Sequence, residues 1–155
     1  MSFQVSALPA EPFRPLFGLS DQALAKRGVI RRTADAKPGF PCRVSLEDAE
    51  PGETVLLMNY EHQPADTPFR ASHAIYVREA GQPAELGTGE IPVLFRHRIM
   101  SLRGFSEDGM MLAAEVTPGA EIEPVIERLL ARPGVAYLHA HYAGMGCYAA
   151  RIDRA

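Results

Sequence analysis

The sequence has few cysteines, no long apolar run and no surplus of basic residues, and each absence excludes a class of protein. Two cysteines among 155 residues cannot form the disulfide framework of a small secreted domain, so we expect free thiols. No apolar run approaches the roughly 20 residues that a membrane-spanning helix needs. A net charge of -3 gives no electrostatic reason to bind nucleic acid. The first ten residues lack the basic and apolar segments of a secretory signal, which favours a cytoplasmic protein.

The composition is that of a globular protein rich in turns. The hydrophobic fraction of 46% and the charged fraction of 23% are typical of soluble proteins. Thirteen glycines and thirteen prolines indicate many turns and short elements. A chain of this length can bury a core without disulfides or metals, and no linker or repeat is visible. We therefore expect residues 1–155 to form a single domain.

Hydrophobic periodicity predicts an α+β fold. One amphipathic helix is indicated by the spacing of Ile122, Val125, Ile126, Leu129 and Leu130. A shorter helix is predicted between an N-cap at Ser20 and a stop at Gly28. Residues 54–60 are apolar on both faces, as in a central strand, and residues 61–72 predict a loop because prolines, Asp and Thr interrupt them. We predict a mixed, mostly antiparallel sheet of about six to eight strands, with two or three helices on one face.

The densest group of reactive side chains lies in the C-terminal segment 137–153. Polar and apolar residues alternate there around a glycine-rich turn, which predicts a β-hairpin. Residues i and i+2 of a strand share a face, so His139 and His141 emerge side by side, about 6–7 Å apart. Two neutral imidazoles so placed can chelate one divalent metal ion. No motif requires a metal, and the alternative is a pair of hydrogen-bonded structural histidines.

A metal site would need a further ligand, and the candidates are Cys147, His62, His73 and Glu61. Glu61 and His62 are adjacent, so on a strand they would point to opposite faces. Cys147 is also a candidate nucleophile, with a neighbouring imidazole or guanidinium to lower its pKa. The commonest fate of a free cysteine is instead a small buried hydrophobe. The candidate catalytic residues are His139, His141 and Cys147.

A non-catalytic alternative places a small anionic ligand on the same hairpin face. Arg151, Arg43 and Tyr137 would hold the anionic group, with His62 as a further ligand-binding candidate. A third alternative is a protein–protein module, such as a homodimer formed through a sheet edge. The sequence leaves open whether the protein is an enzyme.

The composite site depends on the register of the last hairpin. A four-residue loop, 143–146, pairs Tyr142 with Cys147 and puts Cys147 and Arg151 on the face opposite both histidines. A five-residue loop, 142–146, pairs His141 with Cys147. One face then carries the side chains of Tyr137, His139, His141, Cys147 and Arg151. The second register separates polar from apolar side chains and avoids burying charged groups unpaired, so we predict it.

Several short strings together resemble a known family. They are Lys-Pro-Gly-Phe-Pro-Cys-Arg (37–43), Ser-Leu-Glu-Asp-Ala-Glu-Pro-Gly-Glu (45–53), Asn-Tyr-Glu-His-Gln (59–63), Asp-Gly-Met-Met (108–111), Tyr-Leu-His-Ala-His (137–141) and Gly-Cys-Tyr-Ala-Ala-Arg (146–151). The family is bacterial and catalogued only as a domain of unknown function. The resemblance covers nearly the whole chain and implies a complete, single-domain bacterial cytosolic protein. It implies no reaction, ligand or catalytic residue.

Overall fold

The computed structural model describes residues 2–155 and shows an α+β protein, as predicted. Its strands are β1 (Phe3–Ser6), β2 (Ile30–Thr33), β3 (Thr54–Gln63), β4 (Ala71–Arg78), β5 (Ile99–Phe105), β6 (Met111–Pro118), β7 (Tyr137–Tyr142) and β8 (Tyr148–Arg154). Its helices are α1 (Asp21–Ala25), α2 (Val93–Arg96) and α3 (Ile122–Leu130), with 3-10 turns at Arg14–Gly18 and Gly119–Glu121. Among the described residues, no helix is long and apolar enough to cross a membrane.

The strands form two sheets where the sequence predicted one. Five strands pair antiparallel in the order β1-β8-β7-β5-β6, and three pair in the order β2-β3-β4. The chain also divides into two compact units. The first comprises the residues up to Ser6, Glu61–His73 and Glu85–Ala155, and the second comprises Ala7–Tyr60 and Ala74–Ala84. The single domain over residues 1–155 stays a prediction.

In the first unit, α3 packs against β5, β6 and β7 and covers one face of the five-stranded sheet. The predicted apolar stripe is confirmed, since Ile122, Val125, Ile126, Leu129 and Leu130 are all buried. Leu102, Ala140 and Ala150, which are fully buried, lie on neighbouring strands at paired positions of this face. Side chains at alternate positions of these strands point to the opposite face, where the candidate site lies.

Strand β3 is longer than the sequence predicted, and the predicted loop 61–72 is wrong at its start. Glu61, His62 and Gln63 continue the strand, because the first residue that breaks it is Pro64. The Gln63 side chain is buried and its amide donates a hydrogen bond of 2.9 Å to the Tyr137 hydroxyl. This extension places His62 on a strand, and the site depends on it.

The second unit contains the short helix that the sequence predicted. The Ser20 hydroxyl accepts a hydrogen bond from the Ala23 amide at 3.1 Å, which is the bond expected of an N-cap. Gly28 follows the helix with a φ of 71°, a conformation that suits glycine at a helix end.

Candidate metal centre

Strand β7 carries both histidines of the hairpin into the interior of the first unit. It pairs with β5 on one side and β8 on the other, and all six of its residues are buried. His139 is 4% exposed and His141 is 0% exposed. Because alternate residues of a strand share a face, both imidazoles lie on the side of the sheet opposite α3.

The predicted register of the hairpin is also wrong. The Tyr142 amide donates to the Cys147 carbonyl at 2.9 Å, and the Gly146 amide donates to the Tyr142 carbonyl at 2.8 Å. These bonds close the four-residue loop 143–146. Cys147 therefore shares the face of Tyr142, whose ring packs against Phe95, and not the face of the histidines. The polarity argument failed because both faces of β7 are buried, so no face is reserved for polar groups.

A β-bulge in β8 shifts the pairing of β7 with β8 by one residue beyond the loop. His141 pairs with Tyr148 and Ala140 pairs with Ala150, which leaves Ala149 as an extra residue. Beyond the bulge, His139 pairs with Arg151. The bulge re-aims β8, as bulges do, and returns Arg151 to the histidine face. Of the five side chains predicted to share a face, the structure brings together Tyr137, His139, His141 and Arg151, and leaves out Cys147.

His62, from the end of β3, completes a cluster of three histidines. Its ring centroid lies 4.9 Å from that of His141 and 6.0 Å from that of His139. Each of the three residues offers a ring nitrogen, and these atoms all lie within 4.8 Å of one another. Of the four candidates for a further ligand, His62 is the one that joins the two histidines of the hairpin.

The other candidates for a third ligand lie elsewhere. Glu61 and its neighbour His62 point to opposite faces of β3. The Glu61 carboxylate forms an ion pair with Arg70 at 3.0 Å. The His73 Nε2 atom lies 3.1 Å from the Met145 carbonyl oxygen. Neither belongs to the three-histidine cluster.

Aromatic rings surround the cluster and restrict how its imidazoles can move. The Tyr148 ring stacks on His62 at 5.3 Å with an interplanar angle of 6°. Phe105 lies 4.9 Å from His139, and Tyr137 stacks on Phe105 at 5.5 Å. An apolar wall of this kind lowers the local dielectric and excludes water, which strengthens electrostatic interactions inside it.

The hydrogen bonds of the cluster leave one buried nitrogen on each imidazole without a partner. The His141 Nδ1 atom lies 2.9 Å from the Gly146 carbonyl oxygen. A carbonyl oxygen only accepts, so Nδ1 carries the proton and Nε2 keeps its lone pair. Within residues 2–155, no hydrogen-bond partner meets the buried atoms His62 Nδ1, His139 Nδ1 and His141 Nε2.

All three imidazoles are neutral at pH 7. Burial and the neighbouring His62 together lower the pKa of His139 to about 3. Burial and the Arg103 guanidinium lower the pKa of His141 to about 3 and that of His62 to about 4. Their lone pairs are therefore available for a ligand without displacing a proton.

Arg103 is a residue of the site that the sequence did not identify. It lies on β5 directly opposite His139 in the ladder, and so it shares the histidine face. Its Nε donates a long hydrogen bond of 3.4 Å to the Ser101 hydroxyl, and burial lowers its pKa. The alternation of polar and apolar residues in β5 places it on a polar face, but the pairing of β5 with β7 is not visible in the sequence.

The remaining predicted ligand-binding arginines already have partners. Arg151 forms an ion pair with Asp153 at 2.8 Å, and its guanidinium carbon lies 4.0 Å from the centroid of the Tyr137 ring. Arg43 belongs to the second unit, where it is 1% exposed and donates to the Pro41 carbonyl. The grouping of Arg43 with the hairpin residues stays a prediction.

Comparison with known families identifies this chain. Residues 39–154 match the family described as "Protein of unknown function (DUF1203)". The chain belongs to the DUF1203 family. The resemblance seen in the sequence is therefore confirmed, and the DUF1203 match includes Arg103 and all three clustered histidines. Curated proteins and solved structures give no match.

Proposed function

We propose that this DUF1203 protein binds one divalent transition-metal ion through His62, His139 and His141. The observation that supports the proposal is the convergence of three ring nitrogens within 4.8 Å of one another. They reach this point from β3 and β7, which are separated in sequence by more than seventy residues. Convergence of three histidines from distant segments is typical of a metal site.

The state of the three imidazoles favours a ligand over a structural role. A buried polar atom without a partner costs about 1–3 kcal/mol, and the cluster contains three such nitrogens. A hydrogen bond to the second ring nitrogen, like that of His141 Nδ1 to Gly146, is what fixes the tautomer of a metal-bound histidine. A metal ion would satisfy all three lone pairs at once.

Zinc is the ion that fits this set best. Zinc–nitrogen bonds of about 2.0–2.1 Å in a tetrahedron place ligand atoms roughly 3.4 Å apart. Side-chain movements of about 1 Å would close the present separations onto an ion. Three protein ligands leave a fourth position for water or substrate, and zinc lowers the pKa of bound water to about 7. We therefore propose a metal-assisted reaction, such as hydrolysis or hydration, on a small molecule.

The first test is metal uptake by protein that has been stripped with a chelator. We expect one equivalent of Zn²⁺ or Co²⁺ per chain, measured by calorimetry and by the visible absorption of tetrahedral Co²⁺. His62→Gln is the most informative variant, because His62 is only half-buried and the substitution is the least disruptive to folding. We expect this variant to weaken metal binding by more than about 100-fold. Loss of a hydrogen-bond partner of a metal ligand weakens binding by about 10–100-fold, and loss of the ligand itself should cost more.

A matched control is His97→Ala, which removes an exposed histidine that does not belong to the cluster. Its metal affinity should equal that of the wild type. Circular dichroism of each variant separates loss of a ligand from loss of the fold. Equal metal affinity in the wild type and His62→Gln would contradict the proposal.

A second candidate function is self-association, and the edge strand β6 favours it. Val116 is 66% exposed there, and Ile99, on the same face of the neighbouring strand, is 52% exposed. An edge strand with apolar side chains is a natural pairing site for a second copy of the chain. Light scattering tests this candidate: we expect the mass of a dimer at high protein concentration, and a Val116→Lys variant should shift the equilibrium to the monomer. A monomer at every concentration would contradict it.

A further inference from the structure

Arg103 gives the face that carries the three histidines a net positive charge. Arg103 lies on β5 directly opposite His139 in the ladder, so its guanidinium is on the same face of the sheet as the histidines of β7. A divalent ion placed among them would bring the local charge to about +3 in a partly desolvated region. Two positive charges on the same face of the sheet repel each other strongly when water is excluded.

Nothing in the described chain neutralises Arg103. The second arginine of this face, Arg151, is paired with Asp153. By contrast, Arg103 has no carboxylate partner among residues 2–155, and the Ser101 hydroxyl is its one hydrogen-bond acceptor there. A half-buried guanidinium without an anion is costly, because it loses water and receives no opposite charge in return.

We infer that the ligand of the three-histidine centre is a small carboxylate that bridges the bound metal ion and the Arg103 guanidinium. This inference rests on the proposed metal site and adds the chemical class of its ligand. One carboxylate oxygen would take the coordination position that the three histidines leave open, and the group would accept hydrogen bonds from Arg103. The anion then lies between two positive charges that would otherwise repel each other.

Shape and charge favour a carboxylate over a larger oxyanion. The guanidinium is a planar fork that matches two coplanar oxygens, as a carboxylate presents them. His139 and His141 are almost completely buried, so the half-buried His62 marks the more open side of the cluster. A singly charged planar group is also cheaper to desolvate than a doubly charged phosphate.

The experiment uses Co²⁺-loaded full-length protein, with acetate as the probe and acetamide as its neutral isostere. We expect acetate to shift the Co²⁺ absorption saturably and acetamide to leave it unchanged. Arg103→Gln should weaken acetate binding by at least about tenfold, since a charge-assisted hydrogen bond is lost. The same variant should tighten Co²⁺ binding rather than weaken it, because a repelling charge has been removed.

Two further variants define the role of Arg103. Arg103→Lys keeps the charge but loses the planar fork, so it should retain part of the acetate affinity. Arg132→Gln removes an exposed arginine of the same unit and should change neither affinity. Opposite changes in metal and acetate affinity in Arg103→Gln are a result that loss of folding cannot produce.

The outcomes separate this inference from the proposed function. Absence of metal uptake by the wild type would overturn both. Stoichiometric metal uptake with acetate affinity unchanged by Arg103→Gln would overturn the bridging carboxylate alone. An equal effect of acetamide, or tighter binding of inorganic phosphate than of acetate, would likewise overturn the carboxylate assignment while leaving the metal site in place.

Discussion

Gly119→Ala is expected to destabilise the protein severely. A Cβ atom at this position would lie 1.6 Å from the Phe95 carbonyl oxygen and 2.9 Å from the Arg98 carbonyl oxygen. These neighbours are backbone atoms, so no rotamer change relieves the clash. The Gly119 amide also donates to the Arg98 carbonyl at 2.7 Å, which holds the two segments together. Overpacking usually costs about 1–3 kcal/mol, and a backbone clash this close should exceed about 4 kcal/mol.

Urea denaturation and the yield of soluble protein measure this effect, and Gly144→Ala is the matched control. Gly144 is exposed, and a Cβ atom there would meet no other atom within 4 Å. The control should change the free energy of unfolding by less than about 0.5 kcal/mol. Equal stability of the two variants would show that the close approach between Gly119 and Phe95 is not part of the fold.

Mild acid is expected to destabilise the metal-free protein by up to about 4 kcal/mol between pH 7.5 and pH 5. The pKa values of His139 and His141 fall to about 3 in the folded state from an ordinary value of 6.5. Below pH 6.5, His139 and His141 therefore bind protons in the unfolded chain but stay neutral in the folded chain. Each histidine then contributes a slope of about 1.4 kcal/mol per pH unit. Stability is full above pH 6.5 and is lost as the pH falls toward 3.

Urea denaturation at several pH values, with a chelator present, measures this slope. Ion-paired carboxylates do not interfere in this range, because hydrogen bonds from Arg128 and Arg96 hold the pKa values of Glu115 and Glu123 below 4.5. His141→Gln should reduce the slope, because it removes one of the two histidines whose pKa falls to about 3 on folding. A change of less than about 1 kcal/mol down to pH 5 would mean that the folded protein protonates these histidines freely.

Local patterns in the sequence predict the elements whose environment is set by short-range chemistry. The spacing of the apolar residues in α3 specifies its buried face, and all five predicted residues are buried. Ser20 and Gly28 mark the ends of the predicted short helix because capping depends only on adjacent backbone groups. The division into two sheets was not predictable in this way, since strand pairing joins segments that are distant in sequence.

The site was predicted only in part, for the same reason. The alternation around residues 139–141 placed two imidazoles side by side, and a strand guarantees this geometry whatever its partners. Which of four residues would approach them depended on β3 running three residues further, to Gln63. Arg103 was not identified because its relation to His139 exists only through the pairing of β5 with β7.

The bulge at Ala149 makes the site depend on how β8 pairs with β7 at this point, and not on the identity of the residue there. Ala149 is a buried alanine whose contribution is to add one residue to β8 relative to β7. If the same residues paired as a regular ladder instead, Ala149 would lie opposite Ala140, and Arg151 would exchange faces with Ala150 and Ile152. In DUF1203 sequences that keep the His-x-His pair, loss of the residue at position 149 would therefore leave Arg151 opposite His139 in a regular ladder, whereas an added residue between Tyr148 and Arg151 would move the rest of the strand to the other face unless the bulge absorbed it.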